Sequence, residues 1–288
     1  MGSGAGTGKG LLFCYHRVIS PRSLQVVVTL LALGCSRGTT PPSAITFRVE
    51  RGPEVATPAV EDAMVPAPPA NPAFADPREL PLAPGRTVYY ALPPASEGAR
   101  LIGHLHGVCG GPEHACGRWI HAAVEQGVLV CPTGNTRCGG TASWEGPNWG
   151  DLLLTMDHDL EKSVASVMKE HPRAVQRKDS ILTGYSRGGF AVPEIARLHP
   201  GMWPLLLIIE ANVPLYAQRL REVGARRVVL IAGENGTERP GMAKTRDQLV
   251  AAGFPVRMYL MPGSYHHYSS DMEDIMRRAL AFLVEEPD

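Results

Sequence analysis

The chain has 288 residues, a formal net charge of +0 at pH 7, and 44% hydrophobic and 19% charged residues. That length and balance suit one large α/β domain or two small ones, and exclude a chain too polar to build a core. Neutral charge gives no electrostatic basis for nucleic acid as a partner.

The first segment reads as an export signal over residues 1–35. Lys9, Arg17 and Arg22 precede an apolar run from Leu24 to Leu33, which ends at Gly34-Cys35. A basic region, a short apolar core and small residues form a secretory signal, and the core is too short to span a bilayer as a helix. Cysteine directly after Leu31-Ala32-Leu33-Gly34 resembles a bacterial lipobox, although Ala32 stands where that pattern prefers a bulkier aliphatic residue. The resemblance implies lipidation of Cys35 and a lipid anchor in the cell envelope; a plain signal peptide, giving a secreted chain, is the alternative. The opening Gly2 to Lys9 is not a phosphate-binding loop: Ser3 and Gly10 occupy positions that require Gly and Ser or Thr, and no strand precedes it. Residues 36–78 are rich in Pro, Ala, Thr and Glu without sustained periodicity, which predicts a disordered tether.

A single folded domain is expected over 79–288. Thr87 to Leu92 and Arg100 to Leu105 read as strands, as does Val128 to Val130. Residues Asp151 to Glu170 carry Leu153, Met156, Leu160, Val164 and Val167 on one helical face. Strands are predicted at 180–184, 203–209, 227–232 and 256–261, with helices at 188–198, 213–223, 240–252 and 271–286. The strand at 203–209 is wholly apolar, as in a sheet covered on both faces. This alternation predicts an α/β fold with a mostly parallel, doubly wound sheet and helices on both faces.

Three sites along this pattern carry chemistry. Gly184-Tyr185-Ser186-Arg187-Gly188 lies between a short apolar strand and a Gly-rich helix start. A reversal that tight strains the central residue and needs neighbours without Cβ atoms, so that Ser186 Oγ stands above the strand end as a nucleophile. A serine hydroxyl needs a base in contact. The break Pro262-Gly263 after the last strand leads to His266, the preferred base, with His267 as runner-up. Upstream, a strand ends in His106-Gly107.

Four cysteines lie in loops after strands: Cys109, Cys116, Cys131 and Cys138. In an exported chain these predict disulfides, with the local pairs Cys109–Cys116 and Cys131–Cys138 preferred and crossed pairing the alternative. No metal is expected, because the C-x₂-C spacing of zinc sites is absent. Trp144 and Trp149 lie in a Gly-rich loop, where they serve either as cleft walls or as packing. Arg187 suits an anionic group or a surface salt bridge. Asn235-Gly236-Thr237 matches a glycosylation acceptor, but the lipobox resemblance suggests a bacterial source, where this means little.

Residues from about 80 onward resemble the α/β-hydrolase superfamily, on His106-Gly107, Gly184 to Gly188 and His266 in that order. The nearest flavour is similar to secreted carboxylesterases of the polyhydroxyalkanoate-depolymerase and feruloyl-esterase kind. The resemblance implies a Ser-His-acid hydrolase of small or polymeric esters that needs no cofactor. It implies an oxyanion hole from the backbone N–H groups of Gly107 or Val108 and of Arg187. It implies an acid after the next-to-last strand, where many relatives carry Asp three residues past a glycine; here that position is Gly236. Glu234 is the preferred acid, with Glu238 and Glu210 as alternatives. Asp157 and Asp159 are expected to orient loops. An amide hydrolase with the same residues, and a non-catalytic binding protein lacking the acid, are the other readings.

Overall fold

A computed structural model describes residues 77–94 and 97–285. The predicted signal over 1–35, with Cys35, and the predicted tether up to residue 76 lie outside these residues. The described chain opens with two antiparallel strands, β1 (Arg78–Ala83) and β2 (Arg86–Ala91). β1 begins inside the segment expected to be tether. Its Pro81 is tolerated because β1 is an edge strand, where a missing N–H costs no ladder bond. Next come β3 (Ala99–Leu105), the short helices α1 (Pro112–Gly117) and α2 (Ile120–Val124), and β4 (Val128–Pro132). A small hairpin of β5 (Thr136–Cys138) and β6 (Thr141–Ser143) precedes the long helix α3 (Trp149–Glu170). The rest alternates: β7 (Val175–Tyr185), α4 (Arg187–Leu198), β8 (Leu205–Ile209), α5 (Ala217–Glu222), β9 (Arg227–Gly233), α6 (Arg239–Ala251), β10 (Val256–Met261) and α7 (Met272–Val284).

The main sheet has the order β1-β2-β4-β3-β7-β8-β9-β10. It is antiparallel at β1/β2 and β2/β4 and parallel across the remaining pairs, as the βαβ alternation requires. The apolar strand run has a direct cause. Leu206 and Ile208 of β8 feed the core beneath α3, α4, α5 and α6, while Leu205, Leu207 and Ile209 feed the core beneath α1, α2 and α7. Burying each such side chain contributes about 1.5–3 kcal/mol. Helix α3 starts where the Asn148 side chain accepts the Asp151 N–H at 3.0 Å. Helix α5 is shorter than predicted, because residues 213–216, which include Pro214, stay outside it.

Strand order reverses at β3, which has β4 on one side and β7 on the other although α3 separates β4 from β7 in sequence. Such a switch point opens a crevice at the carboxyl ends of the strands. The register aligns those ends: Leu105 lies opposite Gly184, Tyr185 opposite Ile209, Ile209 opposite Ile231, and Gly233 opposite Met261. The loops after β3, β7, β8, β9 and β10 therefore emerge side by side.

Candidate active site

Ser186 is the residue between β7 and α4, with φ 52° and ψ −117°. Its N–H donates to the Ile209 carbonyl at 2.8 Å, and its own carbonyl accepts the first helical bond, from Phe190 N–H at 3.1 Å. The turn needs its glycines: a Cβ at Gly184 would fall onto the Gly188 backbone, and one at Gly188 onto the Leu105 carbonyl. The strained serine conformation is held by this close packing.

His266 Nε2 lies 2.9 Å from Ser186 Oγ, and His266 Nδ1 lies 2.9 Å from Glu210 Oε2. The carboxylate can only accept, so Nδ1–H donates to Glu210 and Nε2 is left to accept the serine proton. The Tyr185 hydroxyl donates to the His266 carbonyl at 2.7 Å, tying the histidine loop to the turn that carries Ser186. Its ring lies 5.4 Å from the imidazole. His267 turns away: its Nδ1 is 2.9 Å from Ser264 Oγ.

The carboxylate beside His266 is Glu210 and not the preferred Glu234. Glu210 follows β8 directly, has φ 52° and is fully buried. Burial pushes its pKa above the ordinary glutamate range, opposed by the Gly233 N–H donated to Oε1 and by His266. Glu234 instead accepts the Gly263 N–H at 2.9 Å and braces the turn before the histidine. Glu238 accepts the Asn212 N–H at 3.0 Å and braces the loop after Glu210. Gly236 now has a reason: a Cβ there would lie 3.3 Å from Glu210 Oε2 and 2.9 Å from the Tyr265 carbonyl. Glu210 occupies the space that an Asp at 236 would need. The sequence alone did not separate Glu210 from Glu234: Glu210 directly follows the apolar β8, and Glu234 directly follows the apolar run that ends β9.

Gly107 packs directly on the Ser186 turn, since a Cβ there would lie 2.9 Å from Tyr185 Cδ1 and 3.1 Å from Ser186 Cβ. Val108 borders the cleft beside Ser186 and Arg187. At the start of α4, the first-turn N–H groups, that of Arg187 included, have no intrahelical acceptor. His106 is buried, with Nδ1 2.7 Å from the Gly107 carbonyl and Nε2 2.8 Å from the Thr133 carbonyl. Its ring stacks on Trp144 at 5.1 Å, and the Trp144 indole donates to the His106 carbonyl at 3.1 Å. Trp144 is thus packing and not a cleft wall. The Arg187 guanidinium donates to the Trp144 carbonyl at 2.8 Å. Asp159 pairs with Arg86 and Asp157 with His199 at 2.8 Å, joining α3 to β2 and to the end of α4 and not to active-site loops.

The disulfides are Cys109–Cys138 and Cys116–Cys131, the crossed pairing and not the local one. Side chains alternate along β4, so Cys131 and Leu129 face α1 and α2, where Cys116 is buried. Cys109, two residues past Gly107, is then bonded to the β5–β6 hairpin. All four thiols are consumed. Among the described residues, no three His, Cys, Asp or Glu side chains converge as a metal-ligand set.

A cleft of about 470 Å³ opens over Ser186, walled by Val108, Trp149, Phe190 and Val213, with Arg187 and Glu194 at its edges.

No family model matches the chain, and no curated protein matches it in sequence. Solved structures do. The fluorophosphonate-binding serine hydrolase F of Staphylococcus aureus is 13% identical, with a TM-score of 0.52 over 73% of this chain and 100% of that one. An arylesterase is 11% identical, with a TM-score of 0.53 over 73% and 85%. An S-formylglutathione hydrolase from Agrobacterium tumefaciens is 14% identical, with a TM-score of 0.50 over 69% and 90%. At these identities the likeness is one of fold.

Proposed function

We propose that this chain, whose fold is that of the α/β-hydrolases, is a serine hydrolase of carboxylic esters using Ser186, His266 and Glu210. The observation that carries the reading is the unbroken hydrogen-bonded chain from Ser186 Oγ through His266 to the buried Glu210. The neighbours of like fold named above are two hydrolases and an esterase, which agrees with it.

In this mechanism Ser186 Oγ bonds to the ester carbonyl carbon while His266 Nε2 takes the hydroxyl proton. The carbonyl electron pair moves onto oxygen, toward the Arg187 N–H and that of Gly107 or Val108. Collapse breaks the bond to the alcohol, which leaves with the proton from His266. Water then attacks the acyl-serine, His266 takes its proton, and the acid departs as Ser186 Oγ is reprotonated. Glu210 holds the Nδ1–H tautomer and stabilises the imidazolium. It also answers the reason for a non-catalytic reading, which was the absent Asp.

Export is part of the proposal: two disulfides suit an oxidising compartment, and the leader with Cys35 supplies the route. A fluorophosphonate probe should label the purified protein, and Ser186→Ala should abolish labelling and turnover of p-nitrophenyl esters. Folded wild-type protein that takes no label would overturn the enzyme reading. Faster cleavage of aminoacyl nitroanilides than of esters would overturn the ester assignment.

A further inference from the structure

The cleft has a charge gradient that the reaction itself does not explain. On α4, Arg187, Phe190 and Glu194 fall at spacings of three and four, so they share one face of the helix that starts at Ser186. Arg187 stands beside the nucleophile, anchored to the Trp144 carbonyl. Glu194 stands two turns away, eight residues from Ser186, or about 12 Å along the helix axis. Between them the wall is apolar and exposed: Phe190 is 37% and Trp149 is 42% accessible, with Val213 beside them. Clustered exposed aromatics mark a binding surface more than scattered ones do.

Two features fit one ligand chemistry. Aromatic faces attract cations, most strongly where water is partly excluded. Glu194 adds a carboxylate at the far end of the same cleft, where it pairs with Arg197 at 3.0 Å, on side chains that are 40% and 61% accessible. Exposed pairs of this kind hold weakly, so a ligand cation can replace Arg197.

Resting on the ester-hydrolase reading above, we propose that the cleft selects esters whose acyl chain is apolar for about 12 Å and ends in an ammonium group, with Glu194 as the specificity-determining residue. The carbonyl, where negative charge develops, then sits at the Arg187 end and the cation at the Glu194 end.

The test uses p-nitrophenyl esters of one straight-chain acid of matched length, ended in trimethylammonium, tert-butyl or carboxylate. The expected order of kcat/KM at low salt is cation, neutral, anion, with cation over neutral by about tenfold. Glu194→Gln should bring that ratio to about one, and Glu194→Lys should invert it in favour of the carboxylate ester. Arg197→Gln, which frees Glu194, should raise the ratio. Equal kcat/KM for the cationic and tert-butyl esters, or a preference that survives Glu194→Gln, overturns the proposal while fluorophosphonate labelling of Ser186 keeps the hydrolase reading. Absence of both labelling and turnover overturns both.

Discussion

Ser186 and Glu210 both have a positive φ that L-residues seldom adopt, each at 52°. Such positions cost on the order of 1–3 kcal/mol and persist where their surroundings fix them. Here the Ser186 N–H is held by the Ile209 carbonyl and the Glu210 N–H by the Ile231 carbonyl, both at 2.8 Å. The strain lifts both side chains off their strand ends toward His266. Glu210→Gln should keep the fold and lower kcat by about 10²–10⁴, because the amide no longer fixes the tautomer. Glu234→Gln should change kcat by less than about threefold. Steady-state kinetics on the two variants distinguish the acids, and the reverse ranking would return the role to Glu234. The sign of the pH effect follows from burial. A raised pKa means that Glu210 takes up its proton at a higher pH than a free glutamate does. The working form is the carboxylate. The share of kcat/KM that depends on the Glu210 carboxylate should therefore be lost at a higher pH than a free glutamate would lose it, and Glu210→Gln should remove that share at every pH.

At the scale of elements, the loops after β3 and β4 are joined by two bonds that differ in what they hold. Cys116–Cys131 closes a separation of 15 residues inside the core beneath α1. Cys109–Cys138 closes 29 residues and ties the loop after Gly107 and Val108 to the hairpin that leads to Trp144. Trp144 in turn holds the His106 carbonyl and Arg187. Each bridge restricts the unfolded chain by about 3–4 kcal/mol on the loop-entropy model. The Cys116→Ser/Cys131→Ser pair should lower the melting temperature and leave kcat within about twofold, since it lies away from the reacting atoms. The Cys109→Ser/Cys138→Ser pair should lower the melting temperature and also lower kcat by about tenfold, since small shifts of oxyanion donors are costly. Thermal unfolding and kinetics on both pairs check this, and an equal loss of kcat from both would confine the second bridge to stability. The periodic helices and apolar strands were legible in the sequence. Strand β1, helices α1 and α2 and the β5–β6 hairpin were not, because they are short and their residues show no sustained period.

Across the whole molecule, the sheet buries charge-capable groups at its centre. His104 on β3 is fully buried, with Nδ1 2.6 Å from Thr183 Oγ1 and its ring edge-on to Trp119 at 5.3 Å. Burial, with a smaller contribution from His106, pushes its pKa down to about 3. The unfolded chain, with an ordinary histidine near 6.5, binds this proton more readily than the folded one does. Stability is then fully present above about pH 6.5 and falls as pH drops toward 3, by up to about 1.4 kcal/mol per pH unit. Glu210 acts in the opposite sense, its raised pKa making the folded state the better proton binder in its own range. Urea unfolding at pH 5 and pH 7.5 should show the weaker fold at pH 5, and His104→Gln should reduce the difference, leaving the share of buried His106, whose pKa burial also lowers. A variant with the wild-type slope would place the acid sensitivity elsewhere.

The sequence by itself determined the alternation of strands and helices, the Ser186 turn and the histidine after the last strand, because each rests on local backbone chemistry: apolar period, glycines around a tight reversal, a Pro-Gly break. Only the tertiary structure decided which carboxylate meets His266 and which cysteines pair. Both depend on strand order and register. β8 lies between β7 and β9, so Glu210 reaches the histidine first, and the facing of β4 sends Cys131 to Cys116. Distances set by neighbours in the sheet are not encoded in spacing along the chain.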